Sequence, residues 1–401
     1  MMSLTKHRGI GGVIKQTPQD FVVREITSKG IVLEPERQYD AKSLGMEEVA
    51  GGKHISFVMQ KCDWNTVDAL LAIAKRMSRG RKSISYAGTK DKKAVTVQLA
   101  SVYHPEQFEM NSIALKDIKI NGFWRSDGVE LGSDLGNAFE VCIRDVSNTE
   151  EMAPMAEGLK RGMPNYFGPQ RFGERQNNPK VGAKILQGDF EGAVMEYLTA
   201  TENERNAGVI EARQRLKENR DFKEALSYFP KFLRGERTVI AHLADYPNNY
   251  ANALRKLPRG LALMFIHALQ SQIFNEELDA RIKNDDFKSS LFAPSDFYGF
   301  PDLEKVGAEG AFPVAALIGY ETKEEEISSC ARETMERMQL SKEAFRSNGL
   351  KELNMKGSYR PLLAPVRDFG YRIEDSTARL SFSLPKGSYA TVLLDEFMLG
   401  S

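Results

Sequence analysis

Through residues 1–145 the chain alternates apolar and polar positions at period two more often than at period 3.6. The alternating sets are Phe21 and Val23, Phe57 and Met59, then Val95, Val97 and Leu99, and finally Phe139, Val141 and Ile143. Alternation of this kind predicts strands with one buried face, so this part reads as sheet-rich. One helix interrupts it. Asn65 or Thr66 can cap it, and Val67, Leu70, Leu71, Ala74 and Met77 make a single apolar stripe before Gly80 stops it. From about Pro179 to Leu340 the pattern changes to capped helical segments: Asp189 precedes Phe190 to Leu198, and Pro258 precedes a long run from Leu261 to Ile282. After Pro365 the strand signal returns in Ala378 to Leu384, followed by Pro385, Gly387 and an apolar segment from Tyr389 to Met398. Strands, then helices, then a strand again predict an α+β chain whose helical middle is inserted into its first domain.

With 401 residues and 41% hydrophobic content the chain can fill the cores of two or three domains. Lys plus Arg and Asp plus Glu are equal at 55 each, so any attraction to nucleic acid must come from how charge is distributed. It is sorted. From Lys75 to Lys93 the bases are Lys75, Arg76, Arg79, Arg81, Lys82, Lys90, Lys92 and Lys93, with Asp91 the one acid among them, whereas Glu324, Glu325 and Glu326 form an acidic run. A polyanion is expected at the basic segment.

Cys62, Cys142 and Cys330 are far apart and never in a Cys-x-x-Cys pair, which argues against a disulfide framework or a thiolate zinc site and fits a reducing compartment. His7, His54, His104, His242 and His267 show no metal-ligand spacing, so no metal is expected. His267, within an apolar run, reads as a hydrogen-bonded core residue. The first ten residues lack an apolar stretch of signal-peptide length, and Leu261 to Leu269 is too short to span a bilayer, so a soluble, cytoplasmic protein is expected.

Asp91 lies in Gly88-Thr89-Lys90-Asp91-Lys92, a tight basic turn between two strand-like runs. It has two readings: an aspartate hydrogen-bonded to its own turn, or a carboxylate whose lysine neighbours favour its ionised form and fit it for work as nucleophile or base. A second constellation is Asn165-Tyr166-Phe167-Gly168-Pro169-Gln170-Arg171-Phe172-Gly173, where aromatics, amides and an arginine supply stacking faces, base-edge hydrogen bonds and a phosphate partner. Phe172 reads better as a core anchor. Glu174 and Arg175 stand where a phosphate-binding loop needs Lys and Ser or Thr, so this is not a Walker motif, and Gly9-Ile10-Gly11-Gly12 lacks the preceding strand of a dinucleotide site.

Together with Asp20 to Ile26 and Leu384 to Thr391, these segments resemble, in order and spacing, the motifs of the TruD family of tRNA pseudouridine synthases, in particular its archaeal members. The resemblance runs from about Gly12 to Phe397 and is weak across the middle. It implies a pseudouridine synthase fold with a central mixed, largely antiparallel sheet, plus an inserted helix-rich α/β TRUD domain. The boundaries expected are 1–170 and 365–401 for the catalytic domain and 171–364 for the insert. The implied activity is isomerisation of uridine to pseudouridine in tRNA, typically uridine 13 of the D arm, by a monomer with neither cofactor nor metal. Asp91 would be the catalytic aspartate. Phe21, Lys15, Asn165, Phe167 and Tyr389 would line the uridine pocket, with Tyr389 replacing a phenylalanine of a related member; Glu25 closes the first motif without a defined role. Arg79, Arg81, Lys82, Lys90 and Arg171 are expected to meet RNA phosphates.

Such a reaction breaks C1′–N1 and forms C1′–C5 without losing the base. One carboxylate suffices, either attacking C1′ or removing the 2′ proton, provided water is kept out. The alternative reading is a non-catalytic RNA-binding or RNA-chaperone protein using the same basic surface.

Overall fold

A computed structural model describes residues 1–4, 7–103, 110–111, 113–159, 162–287, 291–293, 312–346 and 349–399. They fall into two compact units. One comprises Ser3–Pro164 and Leu363–Ser401; the other comprises Asn165–Ala293 and Phe312–Leu362, with Met1–Met2. The chain therefore passes between units at 164/165 and 362/363, where the sequence reading places 170/171 and 364/365.

The described strands, in chain order, are β1 (Gly11–Val13), β2 (Phe21–Ile26), β3 (His54–Cys62), β4 (Ile84–Tyr86), β5 (Val95–Tyr103), β6 (Ile118–Ser126) and β7 (Gly136–Val146). They continue with β8 (Met163–Pro164), β9 (Phe292–Ala293), β10 (Phe312–Leu317), β11 (Ser358–Pro361), β12 (Leu363–Ala364), β13 (Arg367–Glu374) and β14 (Thr377–Pro385). The first unit is organised by a sheet of order β13-β14-β7-β2-β5-β3-β6, with β1 added on β7 and β4 on β5. Its pairings are antiparallel except that of β2 with β5, which is parallel, giving the mixed sheet of an α+β fold.

Central strands are covered on both faces. Helix α1 (Thr66–Arg76) lays Ala69, Leu70 and Ile73 on Ile55, Phe57, Met59, Ala100 and Val102. Leu33, Tyr39, Leu44 and Trp124 cover Val58, Val97 and Leu99 on the other face. Across β2, β7 and β14, Phe21, Phe139 and Phe382 form an aromatic row with centroid separations of 6.1 and 5.1 Å. The stripe of α1 is rotated from the expected one: Val67 and Leu71 are only half-buried, while Ala69 and Ile73 are inside. Asn65 caps it by accepting from the Val67 amide. The helix ends at Arg76, ahead of Gly80, because Ser78 takes φ +53° and the Ser78 and Arg79 amides return to the carbonyls of Lys75 and Ala74.

The second unit is helical, from Asn178–Gln187 through Arg259–Asn284, with Ser329–Arg337 and a small sheet of order β11-β10-β9. Asp189 caps Phe190–Thr199 through the Gly192 amide, as its position before the apolar run predicts. The Arg259–Asn284 helix buries Phe265, Ile266, Leu269, Ile273, Phe274 and Leu278, and packs against Asn178–Gln187 as the spine of this unit's core. Among the described residues no helix is long and apolar enough to cross a membrane.

Candidate active site

The one parallel pairing decides where chemistry gathers in the sheet unit. Val22, Val23 and Arg24 of β2 lie opposite Val95, Thr96 and Val97 of β5. Parallel neighbours begin at the same end of a sheet, so the segments entering them, which carry Lys15 and Asp91, arrive together. Strand β3 runs the other way and ends there, with Lys61 opposite Thr96 and Cys62 opposite Val95. Cross-strand partners share a face, so Lys61 projects on the same side as Thr96 and Val23.

At this junction Lys15 Nζ lies 2.6 Å from Asp91 Oδ1, and 3.9 Å above the centre of the Phe21 ring. Both members of the ion pair remain partly open, at 20% and 29% side-chain exposure. Phe21, expected to line the uridine pocket, is fully out of solvent, and its described contact with the site runs through the lysine. Lys15 holds φ +56°, a left-handed conformation that costs a residue with a Cβ about 1–2 kcal/mol. Lys61 is completely buried and donates from Nζ to the main-chain carbonyl of Asp91 at 2.8 Å. Desolvation pushes its ammonium down from 10.5 to about 8, the Asp91 charge opposing that fall.

Lys90 corrects an expectation. Its side chain is 3% exposed and its ammonium faces inward, 2.9 Å from Glu25 Oε2 and 3.6 Å from Asp134 Oδ2, so burial removes it from the groups that can meet phosphate. Glu25 is equally enclosed; its other oxygen accepts from the Leu99 amide at 3.0 Å. Burial pushes the Glu25 carboxyl above its ordinary value, and Lys90 pulls against it. The loop is held further by Thr66 Oγ1, which accepts from the Lys90 amide at 2.9 Å, and by Gln98 Nε2, which donates to the Gly88 carbonyl at 3.0 Å.

Arg81 and Lys82 are exposed on the turn Arg81–Ser83, whereas Arg79 is half-buried and donates to the Met77 carbonyl at 2.9 Å beyond the end of α1. Tyr389 precedes the helix Ala390–Met398, just after β14 leaves the sheet where Pro385 faces Gly136 and Gly136 faces Ile26. That is the far end of β2 from Lys15.

Asn165, Phe167 and Arg171 belong to the helical unit. Asn165 is 2% exposed: Nδ2 donates to the Pro361 carbonyl at 2.9 Å and Oδ1 accepts from Arg360 at 2.7 Å, so both ends of the amide expected to meet uracil are engaged within the unit. Phe167 exchanges two 2.9 Å hydrogen bonds with the Asn275 side chain through its amide and carbonyl, and packs edge-on to Phe274. The Arg360 guanidinium lies 4.0 Å over the Phe167 ring and that of Arg171 lies 5.2 Å over it. His267 is only half-buried, and burial with the nearby Arg171 charge holds its imidazole below the ordinary value. Among the described residues, which exclude His104, no group of three or more His, Cys, Asp or Glu side chains is placed to hold a metal ion.

Lys61 and Arg360 escaped the sequence reading. Lys61 had a signal, because it continues the inward register of Phe57 and Met59 and a lysine on that register needs a buried partner. Arg360 had none, since its partners at Asn165 and Phe167 are distant in sequence.

The sequence model of the family described as tRNA pseudouridine synthase D (TruD) matches residues 1–293 and 302–397. A relative from Methanosarcina acetivorans described as "Probable tRNA pseudouridine synthase D" is 35% identical over 434 aligned positions, covering 98% of this chain and 94% of the relative. One of the same description from Archaeoglobus fulgidus is 33% identical over 98% of this chain and 96% of its own. A crystal structure from Methanosarcina mazei, described as a "Putative tRNA pseudouridine synthase D (TruD)", matches with a TM-score of 0.75 at 32% identity, over 99% of this chain and 96% of that one. With its mixed sheet and a match that runs nearly end to end, the chain belongs to the tRNA pseudouridine synthase D family, whose members form pseudouridine in tRNA.

Proposed function

We propose that the protein isomerises uridine 13 in the D arm of tRNA, with Asp91 as its catalytic carboxylate. The observation that carries this reading is the ion pair of Asp91 with Lys15 above Phe21, at the sheet end where β2 and β5 begin in parallel. The pair is partly open, so a nucleotide can reach the carboxylate, while the apolar floor beneath it limits water. From there the carboxylate either attacks C1′ or takes the 2′ proton, and the detached uracil is held until C1′ bonds to C5. Lys15 fixes the direction of the carboxylate and Lys61 fixes its backbone. A lysine kept at φ +56°, where glycine would be relaxed, fits a residue retained for its side chain. Arg79, Arg81 and Lys82 are assigned to the tRNA phosphates on the family resemblance.

The uridine must be everted from folded tRNA at a cost of about a few kcal/mol, which phosphate contacts offset. Tritium release from tRNA transcripts carrying [5-³H]uridine tests the reading, because rejoining at C5 expels that hydrogen. The expected result is release of one equivalent per tRNA, abolished when position 13 is changed to cytidine. Release that persists undiminished from the cytidine-13 transcript would refute the position, and no release from any tRNA would refute the activity.

A further inference from the structure

We propose that the buried Glu25–Lys90 pair is a positioning device for Asp91: by tying Lys90 into the sheet, it turns the next side chain outward to the substrate. This rests on Asp91 being the catalytic carboxylate.

Lys90 and Asp91 are consecutive, yet their side chains have opposite fates, one 3% exposed and the other 29%. The Lys90 ammonium reaches Glu25 and, less closely, Asp134, both themselves buried. Glu25 is in turn pinned to β5 by the Leu99 amide. The Lys90 backbone is fixed independently, since its amide donates to Thr66 Oγ1, whose hydroxyl lies 3.1 Å from Gln98 Oε1. On the other side of the same residue pair, Lys61 holds the Asp91 carbonyl. The peptide units on either side of the Lys90–Asp91 pair are thus clamped, leaving the Asp91 side chain to meet Lys15 in the open.

Stability alone does not account for the pair. Removing two charges from water costs several kcal/mol per ion, and apolar residues of similar volume serve a core as well or better. What an apolar pair cannot supply is a directional tie between the catalytic loop and β2. Misplacing a reacting group by about 1 Å can cost about 100-fold in rate, which sets the size of the expected effect.

The test uses Lys90→Met, Lys90→Arg and the double variant Glu25→Gln/Lys90→Met, which leaves no unpaired charge at position 25. Three quantities are measured on the full-length chain with tRNA: the single-turnover rate, the salt dependence of tRNA affinity, and hydrogen exchange of residues 87–94. The expected result for the folded double variant is a rate lower by about 100-fold, tRNA affinity and salt slope unchanged, and faster exchange of the loop, with Lys90→Arg recovering part of the rate. A normal rate in the double variant would overturn the proposal. So would a salt slope reduced by about one with the rate intact, the mark of a phosphate contact. Should the unaltered protein make no pseudouridine, the assignment of Asp91 fails separately; exchange then decides, and unchanged protection of residues 87–94 overturns the clamp.

Discussion

Lys61 provides a quantitative test of the electrostatics beneath Asp91. Its ammonium is wholly buried and desolvation brings it to about 8, against 10.5 for an ordinary lysine. Below pH 8 both folded and unfolded chains hold the proton, and the folded protein carries the full penalty of the buried charge. Between 8 and 10.5 the unfolded chain binds the proton and the folded one does not, so this residue's contribution to stability rises with pH and levels off above 10.5. At about 1.4 kcal/mol per pH unit the recovery is about 3 kcal/mol. Lys61→Met removes the titration but leaves the Asp91 carbonyl without its donor, a pH-independent cost of about 1–3 kcal/mol. The variant should therefore nearly match the unaltered protein at pH 7 and fall behind it progressively up to pH 10.5. Urea denaturation of both proteins at pH 7, 8, 9 and 10 measures the difference, and background titrations common to both cancel. Parallel stability curves would refute the claim that Lys61 is a depressed, buried charge.

Lys15→Gly relieves the left-handed backbone and removes the partner of Asp91, so the unfolding free energy from urea denaturation should change by less than about 1 kcal/mol while the single-turnover rate collapses; a large loss of stability would contradict the strain assigned to Lys15. Phe167→Ala should cost about 3–5 kcal/mol of unfolding free energy, because the ring is buried against Phe274 and under Arg360, and a shift below 1 kcal/mol would show that it is not packed as described. Neutralising Arg79, Arg81 and Lys82 together should flatten the salt dependence of tRNA affinity by up to about three in logarithmic slope, with Arg79 contributing least because its guanidinium already serves the Met77 carbonyl. An unchanged slope would place the RNA elsewhere.

Much of the sheet was legible because its strands obey period two, as β2, β3, β5, β7 and β14 do. Strand β6 was not. Gly122 there takes φ +117° against the Tyr39 backbone, where a Cβ would fall 1.8 Å from the carbonyl oxygen, and the register with β3 slips between Phe57 and Met59. A bulge of this kind breaks the alternation that announces a strand. Strand β13 did carry the signal, with Phe369, Tyr371 and Ile373 alternating against Asp368, Gly370 and Arg372, and it was passed over; as an edge strand it leaves those side chains only partly covered. Asp91 and Lys15 could be singled out by motif, but their meeting depends on β2 and β5 running parallel, which local sequence does not encode. Lys90 misled because a lysine in a basic run looks solvated, and only the fold reveals Glu25 and Asp134 behind it.

The central claim, that Asp91 performs the isomerisation, is tested most directly by Asp91→Asn, which keeps the side-chain shape and removes the carboxylate. Unmodified tRNA is incubated with each protein without added cofactor, and pseudouridine is mapped by carbodiimide-induced stops in reverse transcription. The account predicts a stop at position 13 with the unaltered protein and none with Asp91→Asn, although the variant binds tRNA with nearly unchanged affinity. A stop of comparable strength produced by the folded variant would contradict it.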